Sequence, residues 1–168
     1  AVGDQLLLAG LPATPVHREL DHGVWSPLSL MDPQGEIPLV QLSIPANFTP
    51  AQLWQLGEAL QGLRAQGIGI LASGAITHNL RALGPDDSPV PGWARTFVSW
   101  LEQSMDEGDR AALEDYRARA PGAVGSHPHD DHLRPLFVAL GAAGSDRPTR
   151  LHQSWDYGSL YMGAYRFG

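Results

Sequence analysis

The feature that most constrains the fold is an amphipathic helix predicted between two apolar strands. The strands are predicted over residues 37–44 and 68–72, because both segments are rich in residues that favour β structure. Between them, Thr49 and Gln52 have the spacing of a capping box at a helix start, and Gly67 lies where the helix would stop. A strand–helix–strand order predicts parallel pairing with a right-handed crossover. The sequence therefore predicts an α/β fold, with a central mostly parallel or mixed sheet flanked by helices on both faces.

The rest of the chain is predicted from hydrophobic spacing and capping residues. Apolar spacing predicts a helix over residues 93–101, Asp109 predicts the start of another, and residues 159–167 predict a strand inside the sheet. We find no internal repeat or linker, so residues 1–168 are predicted to form a single domain.

The amino-acid composition excludes several kinds of site. The 168 residues include no cysteine, which excludes disulfides, thiolate zinc sites, iron–sulfur clusters and cysteine nucleophiles. The net charge is -7 and the 11 cationic side chains form no basic cluster, which argues against a nucleic-acid partner. No apolar run approaches the ~18 residues that cross a bilayer, and the start lacks the basic region of a signal peptide. A cytoplasmic protein with no membrane partner is predicted, and any metal or proton chemistry must use histidine and carboxylate groups.

Two histidines lie where α/β folds place functional groups, at the ends of elements. His78 follows the predicted strand at residues 68–72 and can act as a general acid or base, since its unperturbed pKa is near neutrality. The alternative is a histidine at a helix start that makes only local hydrogen bonds. His22 lies between Asp21 and Gly23 in a predicted loop, where it can move protons. The alternative there is a surface turn formed by its two neighbours.

A third segment, residues 126–132, holds three histidines and two aspartates. Imidazole and carboxylate groups together suit Fe(II), zinc and manganese. Adjacent side chains on an extended segment point in opposite directions, so the five cannot all face one ion, and His132 is the best single candidate for a ligand. The alternative is a solvated helix start, because the helix dipole favours Asp130 and Asp131 at that end.

Five segments, taken in order, resemble the class III extradiol ring-cleavage dioxygenases, the LigB-like family, and in particular its DOPA 4,5-dioxygenase-like branch. They are LDHGVWSPL at residues 20–28, IPLVQLSI at 37–44, ASGAITHNLR at 72–81, HPHDDHLRPLFVALGAAG at 127–144 and GSLYMGAYRFG at 158–168. The resemblance covers nearly the whole chain, and the order of the motifs makes it specific. It implies an enzyme that opens a catecholic ring with O2 at one non-haem Fe(II), or at zinc in some members.

The resemblance also implies roles for individual residues. His78 matches the acid/base histidine of the family's Ser-Gly-x-x-x-His-Asn stretch, and His22 matches a histidine that lies near the substrate and assists. His132 matches the last histidine of the His-Pro-x-x-x-His stretch, which is a metal ligand in this branch. Candidate residues of the substrate pocket are His127, Asp21 and Asn79.

The chain departs from the family pattern in its metal ligands. The family's first two metal histidines belong to N-terminal motifs that do not precede the Asp-His-Gly motif here. Residues 1–168 are therefore predicted to be a catalytic domain that lacks its N-terminal segment, through cleavage or disorder or because the segment is a separate chain. The main alternative is a non-catalytic fragment that binds a metal or an aromatic ligand without turnover, and a weaker one is a zinc hydrolase. A homodimer is the default expectation for a soluble enzyme.

Overall fold

Helices come first in the chain and strands come last in the computed structural model, which describes residues 1–11 and 13–168. The helices are α1 (Val2–Leu8), α2 (His22–Met31), α3 (Pro50–Leu60), α4 (Gly92–Glu107), α5 (Arg110–Glu114), α6 (Tyr116–Arg119), α7 (Ala123–Ser126) and α8 (Arg134–Ala143). Two 3₁₀ turns cover Gln61–Gln66 and Leu80–Ala82. The strands are β1 (Pro148–His152), β2 (Trp155–Asp156), β3 (Leu160–Tyr161) and β4 (Ala164–Phe167).

Helix α3 begins at the predicted capping box but ends at Leu60, earlier than the sequence predicts. The Thr49 hydroxyl accepts a hydrogen bond from the Gln52 amide at 3.3 Å, and the Gln52 side chain accepts one from the Thr49 amide at 2.8 Å. These two bonds confirm the capping box. After α3 the chain tightens into the 3₁₀ turn and stops at Gly67, whose φ of 75° lies in the left-handed region that favours glycine.

The core forms where α3 and α8 cross at close range. A Cβ atom on Gly57 would collide with the Val138 carbonyl, and one on Gly141 would collide with the Trp54 carbonyl. Glycine at both positions lets the two backbones approach, because any larger residue would separate the helices. Helix α4 adds the buried face that its apolar spacing predicts, and the fully buried side chains of this core include Leu53, Phe97, Leu101, Leu113 and Phe137.

The four strands form one irregular hairpin at the end of the chain. Strand β1 pairs with β4 and β2 pairs with β3, both antiparallel. Glu102 of α4 anchors this hairpin, because it accepts hydrogen bonds from the hydroxyls of Tyr161 at 2.7 Å and Tyr165 at 2.6 Å and from Arg150. Burial alone would raise the pKa of Glu102, but the bonds from Tyr165, Tyr161 and Arg150 lower it below its usual value.

The predicted central sheet is not found in residues 1–11 and 13–168. Segments 37–44 and 68–72 run outside any ladder, and the pairs that do form are antiparallel. Ile68 and Ile70 are partly buried against the core while Gly69 and Leu71 are exposed, which is the alternation of a strand. A strand also needs a neighbour that pairs its N–H and C=O groups, and no described segment supplies one here. The mixed α/β character is observed, but the parallel crossover is not.

Three other elements differ from their predictions in detail. His22 does not lie in a loop but is the first residue of α2, which Asp21 caps because its carboxylate accepts a hydrogen bond from the Gly23 amide at 2.9 Å. Asp109 caps α5 as predicted, yet that helix is broken at Asp115. Residues 159–167 form two short strands rather than one. Among the helices described here, none combines the length and the apolar character needed to cross a membrane.

Candidate functional site

The candidate site is built around two stacked histidine rings. The imidazoles of His78 and His132 have centroids 3.6 Å apart and planes inclined by 15°. Both side chains are half-buried, and both contribute to the walls of two neighbouring cavities, one of about 850 Å³ and one of about 1260 Å³. The pair therefore has contact with solvent and with space that could hold a small molecule.

His78 is fixed through the backbone on either side of it. Its own amide donates to the Ser126 carbonyl at 2.9 Å. The next side chain, Asn79, donates from Nδ2 to the Gly125 carbonyl at 2.7 Å and accepts from the Arg81 amide at 3.1 Å. These bonds tie the segment to the end of α7, so the His78 ring is presented from a fixed main chain.

His132 is held against the same segment from the other side. Its carbonyl accepts a hydrogen bond from the Ala75 amide at 2.8 Å. Gly74 makes this approach possible, because a Cβ atom there would collide with the His132 carbonyl oxygen. The Nδ1 atom of His132 lies 3.1 Å from a carboxylate oxygen of Asp131 without the geometry of a hydrogen bond. The Asp131 carboxylate therefore lies beside the His132 ring.

The charges at this pair favour a neutral His78. Partial burial lowers the pKa of His78, the neighbouring His132 lowers it further, and Asp131 opposes both effects only in part. Partial burial would raise the pKa of Asp131, but His132 holds it below its usual value. A neutral imidazole beside an ionised carboxylate is therefore the expected state near neutral pH, and a neutral imidazole can accept a proton.

His127 lies beneath the site rather than on a cavity wall. Its side chain is fully buried, and its Nε2 atom lies 2.7 Å from the Ile76 carbonyl. Because a carbonyl only accepts, that nitrogen carries the proton and donates. Burial lowers the pKa of His127, with only partial compensation from the bond to Ile76. The structure therefore places His127 as a support for the segment that carries His78, whereas the family resemblance suggested a pocket residue.

The remaining predicted residues lie around the cavities. His22 lines the larger cavity together with His78 and His132, and its Nδ1 atom is 3.3 Å from the Asp21 carboxylate on the exposed start of α2. Asn79 lines the smaller cavity. His22 thus shares a cavity with the stacked pair but does not stack with it.

A complete metal site is not present in residues 1–11 and 13–168. No group of three histidine, cysteine, aspartate or glutamate side chains there is arranged to hold an ion. His132 offers one half-buried imidazole, while His127 is committed to the Ile76 carbonyl and His22 is on the surface. The residues described do not fit a three-ligand centre by themselves.

Several residues that shape the site have no signal in the sequence. Tyr116 donates from its hydroxyl to Asp130 at 3.1 Å, and Arg117 donates to the carbonyl of His127. Thr77 is fully buried and bonds the C-terminal hairpin. Their partners lie 10 to 84 positions away in the chain, so no local pattern marks these contacts.

The known proteins to which the chain is similar are named as dioxygenases of aromatic ring opening. Residues 5–168 match the family described as the catalytic LigB subunit of aromatic ring-opening dioxygenase. The chain is 39% identical to a 4,5-DOPA dioxygenase extradiol of Beta vulgaris over 168 residues, with 97% of this chain and 63% of that protein covered. It is 34% identical to a protein of the same name from Escherichia coli K12, with 96% and 62% covered. The chain thus spans less than two thirds of the length of these relatives.

The arrangement of the chain also has a counterpart among solved structures. The crystal structure of an uncharacterized protein from Escherichia coli K12 superposes with a TM-score of 0.87 at 32% sequence identity. The superposition covers 100% of this chain and 72% of the other.

Proposed function

Because the chain belongs to the LigB family of aromatic ring-opening dioxygenases, we propose that it carries the acid/base part of an extradiol dioxygenase site. The substrate would be a catechol, and O2 would be the second substrate. Ring opening of this kind adds both atoms of O2 next to the diol. It requires a group that takes a proton from a catechol hydroxyl and later returns one.

One observation carries the proposal: His78 is stacked on His132 at the junction of two cavities. The lowered pKa of His78 keeps its imidazole neutral at neutral pH, so that it can accept the catechol proton. The resulting imidazolium would lie near the ionised Asp131, which favours the positive charge. His78 is therefore the acid/base group of the proposal.

His22 is proposed to assist from the wall of the larger cavity, which it lines together with the stacked pair. It lies exposed at the start of α2, beside Asp21. Asn79, on the smaller cavity, and Asp21, beside His22, are proposed as further residues of the substrate pocket.

The metal in this proposal is Fe(II), with zinc as the second choice, and His132 is the proposed ligand from this chain. Imidazole suits either ion. A site with three protein ligands would need two that residues 1–11 and 13–168 do not supply.

The proposal is tested by the fate of molecular oxygen. The chain, together with the polypeptide that completes a relative's full length, is loaded with Fe(II) under nitrogen. It is then mixed with DOPA or another catechol in buffer equilibrated with ¹⁸O2, and the product masses are measured by mass spectrometry. We expect a ring-opened product that carries a labelled oxygen atom in its new carboxyl group and does not form without O2. A product with no label, or one that forms equally well under nitrogen, would contradict oxygenase chemistry.

A second candidate function is binding without turnover. The absence of a three-ligand group in the described part of the chain favours it for this chain in isolation. It predicts that catechol binds, as measured by calorimetry, while no labelled product forms. Adding the polypeptide that completes a relative's full length would then restore turnover only if the dioxygenase proposal holds.

A further inference from the structure

Thr77 precedes His78 directly, and its side chain is bonded to the C-terminal hairpin. The residue is fully buried. Its hydroxyl donates to the Ser159 carbonyl at 2.8 Å and accepts from the Tyr161 amide at 2.8 Å. One hydroxyl thus uses both its donor and its acceptor capacity to join two segments that are 82 and 84 positions away.

Water cannot easily replace this hydroxyl. Ser159 is fully buried, and Tyr161 is 2% exposed. A carbonyl and an amide in such surroundings need a partner from the protein, and loss of the partner is costly. Removal of the Thr77 hydroxyl should therefore move the hairpin and residue 77 relative to each other rather than leave both in place.

The same stretch of backbone is held from its other side by the end of α7. His127 donates to the Ile76 carbonyl at 2.7 Å, and the His78 amide donates to the Ser126 carbonyl at 2.9 Å. Residues 76–78 are thus fixed between the α7 side and the hairpin side. The Thr77 hydroxyl supplies the hydrogen bonds on the hairpin side.

We propose that Thr77 is a positioning residue whose hydroxyl sets where the His78 ring lies against His132. The inference rests on the proposed function only for the catalytic role of His78; the geometric claim stands independently of it. A ring contact of 3.6 Å leaves little freedom, and a displacement of about 1 Å at a reacting group can lower a rate about 100-fold.

The first test measures ring position by NMR and needs no turnover. Histidine ring resonances are recorded for the wild type and are assigned with His78→Ala and His132→Ala. In the wild type, each stacked ring shifts the proton resonances of the other. We expect Thr77→Val to lose at least half of this shift and Thr77→Ser to keep it, because serine retains the hydroxyl.

The matched control is Tyr165→Phe. It removes a hydrogen bond between the same hairpin and Glu102, but it leaves both bonds of Thr77 in place. If Tyr165→Phe disturbs the His78 resonances as much as Thr77→Val does, general loosening of the hairpin explains the effect and the inference is overturned. An unchanged His78 spectrum in Thr77→Val also overturns it. Should Thr77→Val fail to fold, Thr77→Ala is compared with Thr77→Ser, and equal spectra of these two variants contradict a role of the hydroxyl.

The second test uses turnover by the iron-loaded protein under the conditions of the ¹⁸O2 experiment. Thr77→Val should lower kcat about 10-fold to 100-fold with KM changed less than about threefold, and Thr77→Ser should restore kcat. A rise in KM of about 10-fold to 100-fold with unchanged kcat would contradict positioning of the acid/base group. Failure of the proposed function looks different, because either the wild type would form no labelled product or His78→Ala would retain turnover, while the NMR result for Thr77→Val stands.

Discussion

Two neighbouring stretches of the chain, residues 69–73 and 74–79, differ sharply in how they are held. Each residue from 75 to 79 has a backbone or side-chain hydrogen bond to the end of α7, to His132 or to the C-terminal hairpin. In the part of the chain that the structure describes, residues 69–73 have no backbone hydrogen bond to another segment. Neither stretch belongs to a helix or a strand, yet only the second is anchored.

The difference shows that an anchored functional segment does not require a completed sheet beside it. The anchors of residues 75–79 come from polar groups on α7, the start of α8 and the hairpin, which all follow in the chain. Residues 68–72 would instead need a neighbouring strand to pair their N–H and C=O groups. The site geometry around His78 can therefore form while the preceding segment remains open.

The largest effect that separates the two stretches is expected from a pair of glycine substitutions. In Gly74→Ala the new Cβ would collide with the His132 carbonyl, so the free energy of unfolding should fall by about 3 kcal/mol. In Gly69→Ala the Cβ meets nothing within 4 Å, so the change should stay within about 1 kcal/mol and could be stabilising. Urea unfolding of both variants measures the difference. Equal destabilisation would show that the stretch at Gly69 is held as tightly as the stretch at Gly74.

A smaller effect is expected at His127, the buried support of the anchored stretch. His127→Leu leaves the Ile76 carbonyl without its donor, so the free energy of unfolding should fall by about 1–3 kcal/mol, while His127→Gln should lose less. Because burial lowers the pKa of His127, the unfolded chain binds a proton there more readily than the folded protein does. The wild type should therefore lose stability as the pH falls below about 6.5, by at most about 1.4 kcal/mol per pH unit from this group.

His127→Leu has no imidazole at this position, so the part of the pH-dependent loss of stability that comes from His127 should be absent in this variant. The measurement is urea unfolding of the wild type and His127→Leu between about pH 7.5 and about pH 5, a range that includes the ordinary histidine pKa of about 6.5. Leu71→Thr, in the exposed segment, is the control. Parallel pH curves for wild type and His127→Leu would show that His127 does not contribute to the pH dependence.

Local features of the fold could be predicted from the sequence, whereas pairing could not. The capping box at Thr49, the stop at Gly67 and the cap at Asp109 depend on neighbouring residues, and all three are observed. The parallel sheet depended on which strands meet, and apolar character at residues 37–44 and 68–72 does not specify a partner. The sequence predicts a loop around His22 because Asp21 and Gly23 suggest a turn, although aspartate is also a strong helix cap.

The candidate site follows the same division. The residue types and the family resemblance identified His78, His22 and His132, and the structure brings His78 and His132 into contact. The support by His127 and Thr77 arises from hydrogen bonds between distant parts of the chain, to Ile76 and to Ser159. No local spacing encodes such bonds, so they could be found only from the folded structure.

The most direct test of the account is the loss of ring opening on removal of one imidazole. His78→Ala and His17→Ala are compared with the wild type for the formation of ring-opened product from a catechol, with circular dichroism and metal content as checks on fold and loading. His17 is exposed and lies outside both cavities, so its substitution should leave turnover unchanged. His78→Ala should keep the fold and the metal while turnover falls by about 10²-fold to 10⁴-fold. Turnover by His78→Ala at the wild-type rate would contradict the account.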